Sequence, residues 1–345
     1  MLSRLPARPS LTEMADFIVS PAVLESLKQA GRVLILPHHN PDGDALGSAT
    51  GLARAILAEG GRAELYLTGA WSEHLSYLLE GLTLPSSQPD PVHYDLAALI
   101  DCHSFDRLGP ESPALAAALA DVPLVVIDHH LLAKPSDQAA SNWFHQPEAS
   151  STGELVWLVI KSLGWVPPRL ASQALLLAMA ADTGFFTQAN TTPAVMRGVA
   201  DLLELGGDLE EIHRRLKKNL PLRRLKLMGL ALDSLQLHFN GRLATIMVTP
   251  ALLAAAGAVM ADTEDLVELG RSLAGVTLSA LIKDNGHGPG TIRVSLRSQE
   301  PVDARSLALL FDGGGHRQAS AYNDPQAAEA GAALTNLLAR AEAFL

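Results

Sequence analysis

Three short apolar runs stop at ionisable residues. RVLILP (32–37) leads into HHNPDGD, DLAALID (95–101) ends on Asp101, and VPLVVIDHH (122–130) ends on Asp128, His129 and His130. Near-continuous apolar runs of this length suit strands buried on both faces, as in a parallel sheet wrapped by helices. The segments between and after them fit that reading. DALGSATGLARAILAEGG (44–61) sets Leu46, Ala49, Leu52, Ala53, Ile56 and Leu57 at helical spacing and closes on Gly60 and Gly61. RAELYLTG (62–69) alternates like a further strand. SSTGELVWLVIKSLG (150–164) opens on a capping-box pattern, Ser151 with Glu154, and ends at Gly164. RLASQALLLAMAADTG (169–184) is a helical pattern that runs into Asp182. NTTPAVMRGVADLLELGG (190–207) has Thr192 as N-cap, Pro193 at the first helical position and Gly206-Gly207 as its stop. Strands alternating with helices predict an α/β fold, a doubly wound parallel sheet.

At 345 residues the chain exceeds one ordinary core and suits two domains. Its character changes near Pro221, where seven of the thirteen residues from Arg214 to Lys226 are basic. Beyond come RLATIMVT (242–249), the helix-like DTEDLVELGRSLA (262–274), and VTLSALIKDNGHGPGTIRVSLRS (276–298), which reads as a hairpin around a Gly-rich turn. A short helix over 303–311, GGGH (313–316) and an Ala-rich terminal helix follow, giving a smaller α+β domain. The expected division is a catalytic domain over 1–215, a linker over 216–222 and a second domain over 223–345.

The net charge of −11 argues against a protein that tracks long nucleic acid, whose affinity rests on neutralising phosphates. It does not argue against binding one small anion in a local pocket. A single cysteine, Cys102, excludes a disulfide framework and a cysteine-based zinc site within the chain. Residues 1–20 lack a continuous apolar signal core, and no apolar run reaches membrane-spanning length, so the expectation is a cytoplasmic protein with no membrane partner.

In open parallel sheets, ligands bind beyond the carboxyl ends of the strands. That rule gathers His38, Asp42 and Asp44 after the first strand, Asp101 after another, Asp128, His129 and His130 after a third, and Asp182 after an apolar run. So many carboxylates would repel one another unless a cation lay between them. A mixed oxygen and imidazole set suits Mn²⁺ or Mg²⁺. The ligand count is enough for two ions, and two metals roughly 3.5–4 Å apart are the usual device for phosphoester hydrolysis.

HHNPDGDALGS, the Asp101 of LIDCHSFDRLG, VVIDHH and LAMAADTGFFTQANTTP resemble the four motifs of the DHH phosphoesterase family, and IRVSLRS with FDGGGHRQASAY resembles its DHH-associated C-terminal domain. The resemblance spans nearly the whole chain, and its length matches the compact branch of oligoribonucleases (nanoRNases), pAp phosphatases and cyclic-dinucleotide phosphodiesterases. It implies two divalent ions, Mn²⁺ first and Mg²⁺ second. His38 and Asp42 would hold one ion, Asp44, His129 and Asp182 the other, and Asp101 would bridge them. Asp128 would orient His129 from behind, and His130 would face the substrate phosphate. In the second domain Gly313, Gly314 and Gly315 would let backbone amides approach the substrate, with Arg297 and His316 supplying charged hydrogen bonds. The implied substrates are very short RNA, linear dinucleotides or pAp, and a homodimer is compatible with the branch. Many relatives carry an Arg where this chain has Thr187, which bears on substrate choice and leaves the metal chemistry intact. The rivals are a RecJ-like single-strand DNA exonuclease, disfavoured by charge and by the lack of room for an added nucleic-acid-binding domain, a family II pyrophosphatase, disfavoured by GGGH and VSLRS, and a non-catalytic nucleotide sensor, disfavoured by the full ligand set.

Overall fold

The computed structural model describes residues 17–132, 141–218, 220–288 and 290–345. Most of the N-terminal stretch discussed above, Asn219 of the expected linker and Pro289 of the Gly-rich turn lie outside these. The described residues fall into two compact units, the first holding residues 17–130 and 141–213 and the second holding residues 214–345 together with Leu131 and Leu132.

The first unit opens with α1 (Pro21–Gln29), β1 (Arg32–Pro37), α2 (Gly43–Ala58), β2 (Arg62–Leu65) and β3 (Leu96–Ile100). It continues with α3 (Ser112–Ala118), β4 (Leu124–Asp128), β5 (Trp143–His145), α4 (Thr152–Ser162), α5 (Arg169–Asp182), α6 (Pro193–Glu204) and α7 (Leu209–His213). Its five strands pair in the order β2-β1-β3-β4-β5, all parallel. The apolar runs are continuous because both faces are covered: every residue of β3 and all but the first of β1 and β4 are buried. The order reverses between β1 and β3, which opens a crevice at the carboxyl ends of those two strands.

The run over 62–69 yields a strand only as far as Leu65. β5, three residues at the sheet edge, is too short to have shown a period. Ser151 caps α4 as expected, its Oγ accepting from the Glu154 amide at 3.1 Å, but the Glu154 carboxylate reaches back to the Ser150 amide at 2.8 Å, one residue beyond the expected box. The helices α2, α4 and α5 meet through glycine. A Cβ on Gly47 would stand 2.6 Å from the Ala174 carbonyl oxygen, and one on Gly153 would stand 2.5 Å from the Ala178 Cβ. These close approaches seat the first turn of α4 against the start of α2.

The second unit holds α8 (Leu222–Asp233), β6 (Gln236–His238), β7 (Leu243–Val248), α9 (Pro250–Ala256), α10 (Leu266–Arg271) and β8 (Leu278–Lys283). After these come β9 (Ile292–Ser298), α11 (Ala304–Leu309), β10 (Gly314–Gly315), β11 (Ala319–Asp324) and α12 (Ala330–Ala341). The sheet order is β10-β11-β9-β8-β7-β6, antiparallel except for β7 with β8. The β8–β9 hairpin and the two late helices stand where the sequence pattern puts them. The helix expected over 262–274 is instead a 3₁₀ turn and the short α10, parted by Asp265 at φ +65°.

Candidate metal centre

The chain leaves β1 at His38, and a short turn leads into α2 at Gly43. Asp42 is the N-cap of α2: its Oδ1 accepts from the amides of Asp44 (3.0 Å) and Ala45 (3.1 Å). Asp44, inside the first turn, is buried, and α4 supplies its partners. The amides of Thr152 and Gly153, the first two residues of α4, donate to Asp44 at 2.7 and 2.9 Å, and Ser48 Oγ donates at 3.0 Å. A carboxylate on a helix N-terminus meets both unsatisfied amides and the positive end of the dipole.

Asp101, the residue after β3, has φ +61°, a left-handed backbone that is strained for a non-glycine residue. It sits among three imidazoles. His38 Nε2 is 3.5 Å from Asp101 Oδ2, while His129 Nε2 and His130 Nδ1 lie 3.6 and 3.5 Å from Oδ1. Thr152 Oγ1 donates to Oδ1 at 2.6 Å. The His129 Nε2 also lies 3.5 Å from Asp44 and 3.2 Å from Asp182, the last residue of α5. The Asp182 carbonyl accepts from Asn190 Nδ2 at 3.0 Å. His38 Nε2 is 3.9 Å from Asp42.

Both of these histidines are fixed by a backbone carbonyl on the other nitrogen. His38 Nδ1 lies 2.9 Å from the His39 oxygen, and His129 Nδ1 lies 3.2 Å from the Ala149 oxygen. A carbonyl can only accept, so Nδ1 carries the proton and Nε2 is turned to the carboxylates.

Asp128 does not orient His129. Its two oxygens take His130 Nδ1 at 2.8 Å and His103 Nδ1 at 2.9 Å. Alternation along a strand explains the correction: side chains at 128 and 130 leave on one side, and that at 129 leaves on the other. His103, in the loop after β3, is thus part of the cluster's support.

The electrostatics follow from this crowding. Burial pushes Asp44 well above the usual carboxylate range, and the charges of Asp101 and Asp182 push it further. Burial acts the same way on Asp101, but His130, His38 and His129 outweigh it and hold that carboxyl well below the usual range. For His38, burial lowers the imidazole, while the Asp101 hydrogen bond and the Asp42 and Asp101 charges carry it up to about 9. His129 also rises, its burial outweighed by Asp182.

Within the first unit three groups of donor atoms have their ligand atoms within 4.8 Å of one another: His38–Asp42–Asp101, Asp44–Asp101–His129 and Asp101–Asp128–His130. Asp101 belongs to all three, and in the last Asp128 and His130 already bond each other. Hard carboxylate oxygens with imidazole Nε2 atoms form a set that divalent cations fit by displacing the imidazole protons, and the mutual repulsion of Asp44, Asp101 and Asp182 is what such cations would offset. After Asp182 come three successive left-handed residues, Gly184 (φ +54°), Phe185 (φ +60°) and Phe186 (φ +64°). L-residues rarely repeat this conformation, and such strain gathers at functional sites.

The other expected residues belong to the second unit. Arg297 is on β9, with Nε 3.3 Å from Glu268 Oε1. Gly314 and Gly315 form β10, and His316 opens the turn to β11, its amide donating to the Ala319 oxygen at 2.7 Å. Gly313 and Gly315 are demanded by packing, since a Cβ on either would stand 2.5 Å from a backbone oxygen, whereas Gly314 faces open space.

The DHH family's N-terminal domain matches residues 32–181. Over 307 residues the chain is 32% identical to the bifunctional oligoribonuclease and PAP phosphatase NrnA of Thermus thermophilus, covering 85% of each protein. The chain belongs to the DHH phosphoesterase family. The three letters are Asp128, His129 and His130, at the end of β4. The DHH protein of the same name from Bacillus subtilis is 25% identical over 291 residues, 84% of this chain and 88% of that one. An exopolyphosphatase-related protein from Bacteroides fragilis shares the fold, with a TM-score of 0.81 at 24% identity over 92% of this chain and 95% of that one. Among the described residues of this DHH hydrolase, no helix is long and apolar enough to cross a membrane.

Proposed function

We propose that this DHH-family hydrolase is a cytoplasmic enzyme that cleaves short oligoribonucleotides and linear dinucleotides and removes phosphate from pAp. In this reading it uses two divalent cations, Mn²⁺ ahead of Mg²⁺. The observation that carries it is that Asp101 lies in both the His38–Asp42 and the Asp44–His129 donor groups, each with its own imidazole. His38 and Asp42 would hold one ion, Asp44, His129 and Asp182 the other, and Asp101 both. Two such ions lower the pKa of an attacking water and offset charge growing on the phosphoryl oxygens.

The chain's own residues prepare that chemistry. The carbonyls of His39 and Ala149 fix the tautomers of His38 and His129, so that neither ring must rotate to bind. The α4 amides keep Asp44 from turning away. Asp128 accepts from His130 Nδ1 and aims the ring, so that Nε2 would face the substrate phosphate. In the second unit, Arg297, His316 and the Gly313–Gly315 backbone would contact the substrate beyond the scissile bond. A relative that acts on oligoribonucleotides and PAP, matched over 85% of both chains, supports the substrate class.

The test is a hydrolysis panel on chelator-stripped protein with and without Mn²⁺: pAp, pApA, pGpG, cyclic dinucleotides, pyrophosphate and bis-p-nitrophenyl phosphate. The expected result is no turnover without metal and restoration by Mn²⁺ on pApA and pAp. Full turnover in the stripped protein would refute the metal mechanism, and turnover of pyrophosphate alone would refute the substrate class.

A further inference from the structure

The two faces of the second unit's sheet are covered unequally. One face packs along its length, with Leu278, Ile282, Val294 and Leu296 buried in a core with Leu307 and Leu337. On the other, Ile246, Val248 and Leu281 of β7 and β8 are buried with Leu227, Leu266 and Val267 from the helices α8 and α10. Over β9 and β11 the same face presents Arg293, Ser295, Arg297, Ala319, Ala321 and Asn323, none of them buried.

Strand pairing sets these residues in three rows. The middle row is Leu281, Ser295, Ala321 and Gly314, small side chains beyond its covered end. A Cβ on Gly314 would meet nothing within 4 Å. The rows on either side are Ser279–Arg297–Ala319 and Lys283–Arg293–Asn323. The result is a shallow trough with a floor of small residues, Arg297 along one side, and Lys283 with Arg293 along the other. Four residues of strand put the two sides about 13 Å apart.

Lys283 and Arg293 are register partners, and like charges directly opposed across a sheet destabilise it. Burial, then Arg293 and Arg297, hold the Lys283 ammonium down to about 8, with Glu264 acting the other way. Glu268, the carboxylate beside Arg297, is shared between Arg297 (3.3 Å) and Arg271 (3.1 Å). An anion between Lys283 and Arg293 would turn the repulsion into two charge-assisted hydrogen bonds. The flat floor next to it suits a ring, which bulky side chains would lift away.

We propose that Lys283 and Arg293 bind a non-scissile phosphate of the substrate, with the attached nucleoside lying on the Ser295–Ala321–Gly314 floor. The choice of a nucleotide over other phosphate esters rests on the functional reading above; the anion site itself does not.

The test is calorimetric titration of the full-length protein in chelator, where phosphate cannot be held by metal, with 5′-AMP and with adenosine. Wild type is expected to bind 5′-AMP at least tenfold more tightly than adenosine. Lys283→Met and Arg293→Gln should each weaken 5′-AMP about tenfold and leave adenosine as it was, with unchanged thermal unfolding. Arg62→Gln, an exposed cation of the first unit, should change nothing. With Mn²⁺ added, both variants should raise KM for pApA more than they lower kcat. Binding of 5′-AMP that is no tighter than adenosine, or that survives both substitutions, overturns the proposal. Arg293 is exposed, so its variant tests the site even if the Lys283 variant fails to fold. Loss of 5′-AMP binding in the variants, with no Mn²⁺-dependent hydrolysis by wild type, would sustain the trough and refute the phosphoesterase reading.

Discussion

Asp101 is the residue on which the site turns. It is buried, left-handed in its backbone, and within 3.5–3.6 Å of three imidazole nitrogens. Its negative charge is what the imidazoles respond to before any metal arrives. Asp101→Asn keeps the shape and the Thr152 contact but removes the charge. In metal-free protein the His38 imidazole, carried up to about 9 in part by Asp101, should then titrate lower. The sign follows from the charge: an anion beside an imidazole favours its protonated form, so deleting the anion favours the neutral one. Imidazole NMR titration reads this directly. If Asp101 holds both cations as proposed, the same substitution would remove that shared ligand, and kcat should drop on the order of 10³-fold on every substrate, as when a central electrostatic element is lost. An unchanged His38 titration would mean that Asp42 alone governs that ring. An unchanged kcat would remove Asp101 from the chemistry.

Among the elements, the turn from β1 into α2 and the first turn of α4 form one device. Asp42 caps α2, Asp44 follows inside its first turn, and the α4 amides receive Asp44. This works only because Gly47 and Gly153 let α2 and α4 lie close against α5. Gly153→Ala places a methyl 2.5 Å from the Ala178 Cβ, so α4 must move. Overpacking of this kind costs about 1–3 kcal/mol, and moving α4 also withdraws two donors from Asp44. The expected outcome is a lower unfolding midpoint together with weaker Mn²⁺ binding by calorimetry. Loss of stability with Mn²⁺ affinity intact would separate the packing of α4 from the seating of Asp44. Much of this arrangement was legible in the sequence. Parallel strands buried on both faces leave continuous apolar runs, and the ligand rule for such sheets points at the residues just past them. The ends of β1, β3 and β4 and the Thr192 cap were readable on those grounds. What could not be read has physical reasons. Three-residue strands such as β5 and β6 carry no period. Asp265 breaks the helix over 262–274 by a backbone state that its side chain does not announce. The Asp128 partners were within reach of simple alternation, which pairs 128 with 130. Its bond to His103 depends on how β3 and β4 lie side by side and on the loop after β3, information that no local pattern holds.

Across the whole molecule, charge sets the scale of the substrate. The chain carries 26 Lys and Arg against 37 Asp and Glu. Binding a long strand requires many phosphates to be neutralised at once, with affinity falling steeply as salt rises. The cationic trough of the second unit spans about 13 Å between its two sides, enough for a very short nucleotide and no more. Past that length each added phosphate meets a net acidic protein and contributes repulsion rather than grip. Initial rates on a ladder of 5′-phosphorylated RNAs with Mn²⁺ should therefore peak between about two and five nucleotides and decline beyond. The salt dependence on pApA should be shallow, matching one or two phosphate contacts, with a log–log slope of about −0.7 to −1.4 on the roughly −0.7 per contact expected for single strands. Rates that climb with length, with processive digestion of long strands and a steep salt slope, would favour the exonuclease rival. They would also require a basic track that neither unit's described surface was needed to supply in the short-substrate reading.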